Sequence, residues 1–290
     1  MTNLSIFEKQ ILVDSSVQTA LELLADRTAL SKQKIKQAMA KGAVWLTPIN
    51  PKKGKTQRLR RVTRQLSPGD KLHIYYNEHI LVTKPTPPTL ITDEGKYSVW
   101  FKPPGVLSQG SLYGDHCAIS RWVELNLKPI RPCFVVHRLD RAAAGLIILA
   151  HNNHAAGLLS TLFQTRQINK QYRVLCEGDL HASEKSITCE APIDGKQAIS
   201  HFKSLKFVEA LNATLLDVDI ETGRKHQIRR HLALLGHPVV GDDEYGTAHP
   251  KNQLQLAATR LEFISPFDKK PRSYTLPNAY LSDELTDAGE

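Results

Sequence analysis

The chain has 290 residues, of which 41% are hydrophobic, and a formal net charge of +9 at pH 7. This hydrophobic content supports a buried core and excludes a disordered chain. The positive excess favours a polyanionic partner such as nucleic acid, the plain alternative being a basic protein without such a partner. The longest apolar run, residues 142–150, is far shorter than the roughly 20 residues that span a bilayer. With no CxxC spacing among its four cysteines and no signal pattern, we expect a cytoplasmic monomer that binds neither metal nor membrane.

The first 80 residues are predicted to form a small α+β module. Apolar residues at helical spacing predict helices over residues 17–24 and 31–41, followed by a strand at residues 43–46. Lysines cover the second helix, and seven cations follow within residues 52–64. Like charges at this density repel one another unless an anion is present, which favours a nucleic-acid partner over a solvated lysine face or a protein-docking surface. The candidate RNA-binding residues of this module are Lys32, Lys34, Lys36, Lys52, Lys53, Arg58, Arg60 and Arg61.

A proline-rich stretch, residues 81–95, is predicted to be a stiff linker without regular structure, because it has three prolines within four residues. Residues 96–290 then alternate short β-rich runs with few helices, a pattern that predicts an α+β domain with a mixed or antiparallel sheet. The predicted strands are residues 97–101, 135–138, 145–150, 170–177, 213–221 and 255–263, and the predicted helices are residues 154–166 and 226–235.

Two dense motifs carry the candidate chemistry of this domain. In the first, His-Arg-Leu-Asp-Arg-Ala-Ala-Ala-Gly at residues 137–145, the carboxylate of Asp140 lies between two strand-like runs. Three alanines and a glycine follow it, and such a bare backbone suggests close approach of a large polar ligand. The second motif, Thr-Gly-Arg-Lys-His-Gln-Ile-Arg at residues 222–229, supplies the cations that such an acid needs.

Two further segments follow the same order along the chain: Lys-Gln-Tyr at residues 170–172, and Leu-Gly-His-Pro at 235–238 with Gly-Asp at 241–242 and Tyr-Gly at 245–246. With these four motifs, the chain resembles the RluA-type RNA pseudouridine synthases. The resemblance covers roughly residues 96–270. The chain departs from the family where Ala143-Ala144 replaces Thr-Ser and where Lys225 replaces Thr. The N-terminal module resembles the S-four-like RNA-binding fold.

The resemblance implies an isomerase that turns specific uridines of rRNA or tRNA into pseudouridine without a cofactor. Asp140 then acts on C1′ of the nucleotide, either as a nucleophile or by assisting departure of the base. Arg229 pairs with this acid, and Tyr172 stacks on the uracil and is a candidate for proton transfer. Because the target must be flipped out of its stack, further residues are expected to touch the RNA. These candidates are His137, Arg138, Arg141, Arg224, Lys225, His226 and Leu256.

Two rival interpretations remain from the sequence. The missing hydroxyls at Ala143-Ala144 favour a non-catalytic RNA-binding or ribosome-assembly protein, while the intact Asp140, Tyr172 and Arg229 oppose it. A phosphate-handling hydrolase that uses Asp140 and His226 has no supporting metal spacing or nucleophile elbow.

Overall fold

The structure is a computed structural model that describes residues 5–14, 19–50, 54–180, 185–246 and 253–286. The chain divides into two compact units. The first unit comprises Met1–Pro85 and Gln109–Trp122, and the second comprises Thr86–Ser108 and Val123–Glu290. Lys52 and Lys53, two of the candidate RNA contacts, lie outside the described residues, as does the start of the first predicted helix.

The first unit contains a four-stranded antiparallel sheet of strand order β1-β4-β2-β3, with helices packed against it. Thr19 caps the first helix, exchanging hydrogen bonds with Glu22 in a capping box. The apolar stripe of the second helix, Ile35, Ala38 and Met39, is fully buried. The elements are β1 (Ile6–Leu12), α1 (Ala20–Arg27), α2 (Lys32–Ala40), β2 (Val44–Thr47), β3 (Gln57–Arg58), β4 (Lys71–Asn77) and α3 (Glu78–Val82).

The second unit is built on a ten-stranded sheet in which antiparallel pairs predominate and β8 and β13 run parallel. Its main strand order is β10-β11-β12-β9-β13-β8-β6-β5, with β14 beside β13 and β7 beside β8. The predicted α+β class with a mixed sheet is therefore confirmed. The strands are β5 (Thr89–Asp93), β6 (Tyr97–Lys102), β7 (Phe134–Val135), β8 (Ala144–Ala150), β9 (Ile168–Glu177), β10 (Ser186–Cys189), β11 (Ser200–Val208), β12 (Ala213–Ile220), β13 (Leu256–Ile264) and β14 (Pro271–Thr275). The helices are α4 (Ile119–Asn126), which crosses the division between the units, α5 (Asn153–Gln164) and α6 (Gln227–Leu234).

Two expectations about local structure were wrong. The stretch 81–95 is irregular only around its prolines, since residues 78–82 form α3 and residues 89–93 form β5, whose residues pair with β6. The strand predicted over residues 135–138 ends at Val135, because the backbone of Leu139 turns away to bond the Ser108 hydroxyl. No helix of the described residues is long and apolar enough to cross a membrane.

Two candidate RNA contacts of the first unit, Arg58 and Arg60, form hydrogen bonds and ion pairs with other residues of that unit. The Arg58 guanidinium lies 4.2 Å from the centre of the Trp45 ring, donates to the Gly42 and Ser111 carbonyls, and pairs with Asp115. Arg60 donates to the Ala40 carbonyl and also pairs with Asp115. The expectation that these arginines need an external anion is wrong, because Asp115 supplies an internal one.

The remaining candidates of the first unit stay at its surface. Lys32, Lys36 and Arg61 are exposed. Lys34 is exposed as well, and its ammonium lies 2.9 Å from a carboxylate oxygen of Glu78. The free positive charge of the described part of this unit is thus smaller than the sequence alone suggests.

Candidate active site

The loop before β8 presents Asp140, and backbone hydrogen bonds hold it on both sides. The hydroxyl of Ser108 accepts from the Leu139 amide at 3.0 Å and donates to the Leu139 carbonyl at 2.8 Å. On the other side, the Gly105 amide donates to the Arg141 carbonyl at 2.7 Å. With these contacts made by its neighbours, the Asp140 side chain is 28% exposed and free to face a pocket.

A buried lysine, Lys102 at the end of β6, supports the same loop. Its Nζ donates to the carbonyls of Arg141 at 3.4 Å and Ala143 at 2.6 Å, and also to two carbonyls of its own turn. Burial lowers the pKa of Lys102 to about 7, and the negative charge of Asp140 opposes that shift. The sequence analysis missed this residue, although a lone charge ending an apolar strand was a usable signal.

The small residues after Asp140 serve strand packing more than ligand access. Gly145 has a φ of +116°, and a Cβ there would lie 2.3 Å from the backbone nitrogen of Ala258. Ala144 is buried beside Ala257, at the point where β8 and β13 meet in parallel. Of this run, Ala143 lines the pocket. The expectation that the bare backbone admits a large ligand therefore fails at Ala144 and Gly145, where the space is filled by β13.

The second motif enters the site through a tight turn and helix α6. Gln227 is buried, and its amide oxygen accepts from the Thr222 hydroxyl and the Arg224 amide, while its amide nitrogen donates to the Ile199 carbonyl. His226 takes a left-handed backbone conformation with φ of 54°. These constraints place Arg229, two residues into α6, against Asp140.

The strongest ion pair of Arg229 is with Asp242, a partner that the sequence analysis did not assign. Its Nε and Nη2 each lie 2.6 Å from a carboxylate oxygen of Asp242, a bidentate geometry, whereas its Nη1 is 3.9 Å from Asp140. Burial lowers the pKa of Arg229, but the hydrogen bonds to Asp242 and the charge of Asp140 raise it above its usual value. The predicted pairing with Asp140 is present, but as the longer contact of a guanidinium held by another acid.

Tyr172 projects from β9 toward the same acid. Burial raises the pKa of its hydroxyl above the ordinary value, and the charge of Asp140 adds to the shift. The phenol therefore stays protonated at neutral pH. Tyr172 lies opposite Val218 on β12, so its ring shares a face of the sheet with Ile220, two residues further on.

His226 is the third group near Asp140. Its Nε2 lies 3.9 Å from Asp140, and its Nδ1 lies 3.1 Å from the Tyr245 hydroxyl and 3.3 Å from Glu244. The Tyr245 ring also faces Arg229, whose guanidinium carbon lies 5.1 Å from the ring centre. Both Tyr245 and Glu244 were outside the predicted site.

One pocket of about 90 Å³ joins these groups. Seven of the predicted site residues line it: Arg138, Asp140, Tyr172, Arg224, His226, Arg229 and Leu256. Arg224 is half-buried, and its Nε donates to the Gln197 carbonyl. Arg141 and Lys225 are exposed and are not among its lining residues. Within the described residues, no group of three or more His, Cys, Asp or Glu side chains could hold a metal ion.

His137, which was expected to touch the RNA, makes contacts inside the second unit. Its Nε2 accepts the Ile148 amide at 2.9 Å, and its ring stacks on Phe163 with centroids 4.2 Å apart. Burial lowers the pKa of His137 to about 3, so the ring is neutral and committed to packing under β8.

Asp140, Tyr172 and Arg229 therefore line one small pocket of the second unit, and comparison with known proteins identifies the family to which the chain belongs. Residues 96–234 match the family model described as RNA pseudouridylate synthase. A protein of Aquifex aeolicus (strain VF5), named an uncharacterized RNA pseudouridine synthase, is 33% identical over 252 residues, which cover 78% of this chain and 77% of that protein. The chain belongs to the RNA pseudouridylate synthase family.

Two further comparisons agree in sequence and in fold. The dual-specificity RNA pseudouridine synthase RluA of Vibrio parahaemolyticus (serotype O3:K6, strain RIMD 2210633) is 33% identical over 195 residues, covering 61% of this chain and 77% of that protein. The solved structure of human RNA Pseudouridylate Synthase Domain Containing 1 has a TM-score of 0.57 at 22% identity and covers 69% of this chain and 88% of that chain. At that identity, the human structure shows a shared fold.

Proposed function

We propose that the protein is an RNA pseudouridine synthase that isomerises specific uridines in structured rRNA or tRNA, with Asp140 as the acting carboxylate. The observation that carries this proposal is the meeting of Asp140, Tyr172 and Arg229 in one pocket, although they come from three separate segments of the chain. Membership of the family supports the same reaction.

The proposed reaction breaks the N1–C1′ bond of uridine and joins C5 of the base to C1′, while the C5 proton leaves and a proton is taken up at N1. Except for the protons that are exchanged, the product contains all the atoms of the original nucleotide, so the reaction consumes no co-substrate. Asp140 either attacks C1′ or assists elimination of the base, and both routes need its negative charge. Arg229, 3.9 Å away, stabilises that charge.

Tyr172 is proposed to stack on the uracil and to remain a candidate for proton transfer. Its ring lies on the pocket face of β9, and its raised pKa makes the hydroxyl a proton donor rather than a phenolate base at neutral pH. Leu256 supplies an apolar wall to the same pocket. This combination of an aromatic face and an aliphatic wall suits a flat, uncharged base.

The target uridine is proposed to reach the pocket by flipping out of its stack, which costs a few kcal/mol. Arg138 is exposed at the pocket and is proposed to hold the displaced nucleotide or to fill the gap it leaves. Arg141, Arg224 and Lys225 are proposed phosphate contacts, which would position the RNA without reading its sequence.

The N-terminal module is proposed to be an S-four-like RNA-binding domain over residues 1–80, joined by residues 81–95 to a catalytic domain at 96–290. Its exposed cations Lys32, Lys36 and Arg61 support RNA affinity without chemistry. The enzyme is proposed to act as a monomer in the cytoplasm and to require no metal.

Asp140→Asn tests the function, because it removes the charge and keeps the shape. Purified wild type is incubated, without added cofactor or metal, with rRNA and tRNA from cells that lack the gene, and pseudouridine is mapped by sequencing. We expect site-specific conversion by wild type, none by Asp140→Asn, and equal RNA affinity for both. Asp283→Asn, the same substitution at an exposed aspartate outside the pocket, is the matched control and should remain active.

The non-catalytic alternative makes a different prediction for the same assay. It requires wild type to bind RNA but to leave every uridine unchanged. If Asp140→Asn converts uridine at the wild-type rate, the proposed reaction is supported but the proposed role of the Asp140 carboxylate is refuted.

A further inference from the structure

Lys170 on β9 is a cation beside the pocket, and the reaction described above does not use it. It precedes Tyr172 by two residues, so the two side chains lie on the same face of β9, about 7 Å apart along the strand. A Cβ atom placed on Gly223 would lie 3.9 Å from the Lys170 Nζ. Because Gly223 lines the pocket, the ammonium lies beside the pocket lining contributed by the second motif.

Lys170 has no anionic partner among the described residues. Its side chain is half-buried, and no carboxylate of that part of the chain forms an ion pair with it. The neighbouring ionic group is another cation, Arg166, whose Nη2 donates to Gln197. Burial, and to a smaller extent the charge of Arg166, lowers the pKa of Lys170 to about 8. A partly desolvated cation beside a second cation is costly unless an anion binds there.

The pocket indicates which anion this is. If the base stacks on Tyr172 and C1′ faces Asp140, the backbone of the flipped nucleotide must leave the pocket along its edge. A phosphodiester group lies on each side of the sugar, and it carries one negative charge with strong acceptor oxygens. The Lys170 ammonium lies close to Gly223, one of the residues that line the pocket, and so is available to such a group.

We propose that Lys170 binds the phosphodiester group adjacent to the flipped uridine and so positions the nucleotide over Asp140. The proposal rests on the proposed function, since it takes RNA as the substrate. Lys170 is here a binding residue and takes no part in bond making. Its loss should raise KM more than it lowers kcat.

The first test measures the salt dependence of binding. Every variant carries Asp140→Asn to prevent turnover, and the probe is a hairpin RNA containing the uridine that wild type converts. Lys170→Gln should weaken binding about tenfold, as expected for one lost charge-assisted contact. The slope of log K against log salt should fall by about 0.7, the value for one contact on single-stranded nucleic acid.

The matched control is Lys203→Gln, which removes the same charge from the same sheet. Lys203 is exposed on β11, and in the strand register it lies opposite Asp217 of β12, which lies opposite Arg173 of β9. Its side chain is therefore on the face of the sheet opposite Tyr172 and Lys170. Lys203→Gln should leave affinity and slope unchanged, and Lys170→Arg should restore most of the affinity. Equal effects of Lys170→Gln and Lys203→Gln would overturn the proposal, because the loss would then reflect net charge alone.

The second test reads the ammonium directly. Brief acetylation at pH 7.5 followed by mass spectrometry gives the reactivity of each lysine, and a pKa of about 8 should make Lys170 more reactive than an exposed lysine with a pKa of about 10.4. The hairpin RNA should protect Lys170 strongly and leave Lys203 unprotected. Full reactivity of Lys170 in the saturated complex would overturn the proposal.

Failure of this inference and failure of the proposed function give different results. If wild type forms pseudouridine while Lys170→Gln keeps the wild-type affinity and slope, the phosphate contact is refuted and the enzyme stands. If wild type converts no uridine, the proposed function itself is refuted.

Discussion

Replacing Arg229 with alanine should damage stability and activity through two different carboxylates. The guanidinium makes its short, bidentate contact with Asp242 and a longer contact with Asp140. Removing it leaves Asp242 as a buried charge whose remaining donors, among the residues that the structure describes, are the backbone amides of Glu244 and Tyr245. It also removes a guanidinium whose Nη1 lies 3.9 Å from Asp140.

The expected loss of stability is large because the pair is almost completely buried. The Arg229 side chain is 5% exposed, and that of Asp242 is 0% exposed. Breaking one side of a buried pair costs about 3–5 kcal/mol, most of it the desolvation of the charge left behind. Arg229→Lys keeps a charge but loses the bidentate fork, so we expect an intermediate loss. Activity should fall in both variants.

The pH dependence of the stability loss in Arg229→Ala shows whether the loss comes from the unpaired charge of Asp242 or from the cavity left by the missing side chain. Burial alone would raise the pKa of Asp242, but the hydrogen bonds from Arg229 and the backbone hold it below the usual value. In wild type this carboxylate therefore stabilises the fold above about pH 3.9, and that contribution is lost as the pH falls through the lowered pKa. In Arg229→Ala the pKa of Asp242 should rise instead, so its carboxyl protonates first in the folded state. The stability deficit of the variant should shrink as the pH falls.

Urea unfolding of wild type and Arg229→Ala at pH 7.5 and pH 5.0 measures this deficit. Hydrogen exchange of β9 and β12 confirms that the transition belongs to the second unit. Arg229→Ala/Asp242→Asn is the matched variant, and it should recover part of the loss because no buried charge remains. A deficit that is the same at both pH values, or no recovery in the double variant, would refute the argument.

Three further predictions concern other parts of the molecule. Lys102→Met should lower kcat by loosening the loop that carries Asp140. The pKa of Lys102 is about 7 in the folded protein against 10.5 for the free side chain, so the unfolded wild type binds more protons than the folded wild type between these pH values. The melting temperature of the wild type should therefore rise, relative to that of the variant, as the pH goes from 7 to 9. Lys32→Gln with Lys36→Gln should flatten the salt slope of RNA binding by up to about 1.8 if both lysines contact duplex phosphates, and an unchanged slope would favour the protein-docking alternative. Ala143→Thr with Ala144→Ser should leave wild-type activity within severalfold, since an added hydrogen bond is worth about 0.5–1.5 kcal/mol; activity that appears only in this variant would support the non-catalytic alternative.

The first two helices of the first unit and several strands of the second were predictable because their patterns are local. The stripe of Ile35, Ala38 and Met39 predicts a buried helix face, and the apolar run of β8 predicts a buried strand. The strands β1, β5, β10, β11 and β14 and the helices α3 and α4 were missed. Strands such as Ser200–Val208 are rich in polar residues and are specified by their pairing partners rather than by their own composition.

The motifs were enough to name Asp140, Tyr172 and Arg229 as candidates for the chemistry, and all three line one pocket. Their contacts could not be read from the motifs and follow from the folded chain. The guanidinium of Arg229 donates to Asp242, and the ring of His137 accepts a hydrogen bond from the backbone of β8. The reason is that a motif fixes residue types along the chain, whereas burial and pairing depend on strands and loops that meet only after folding.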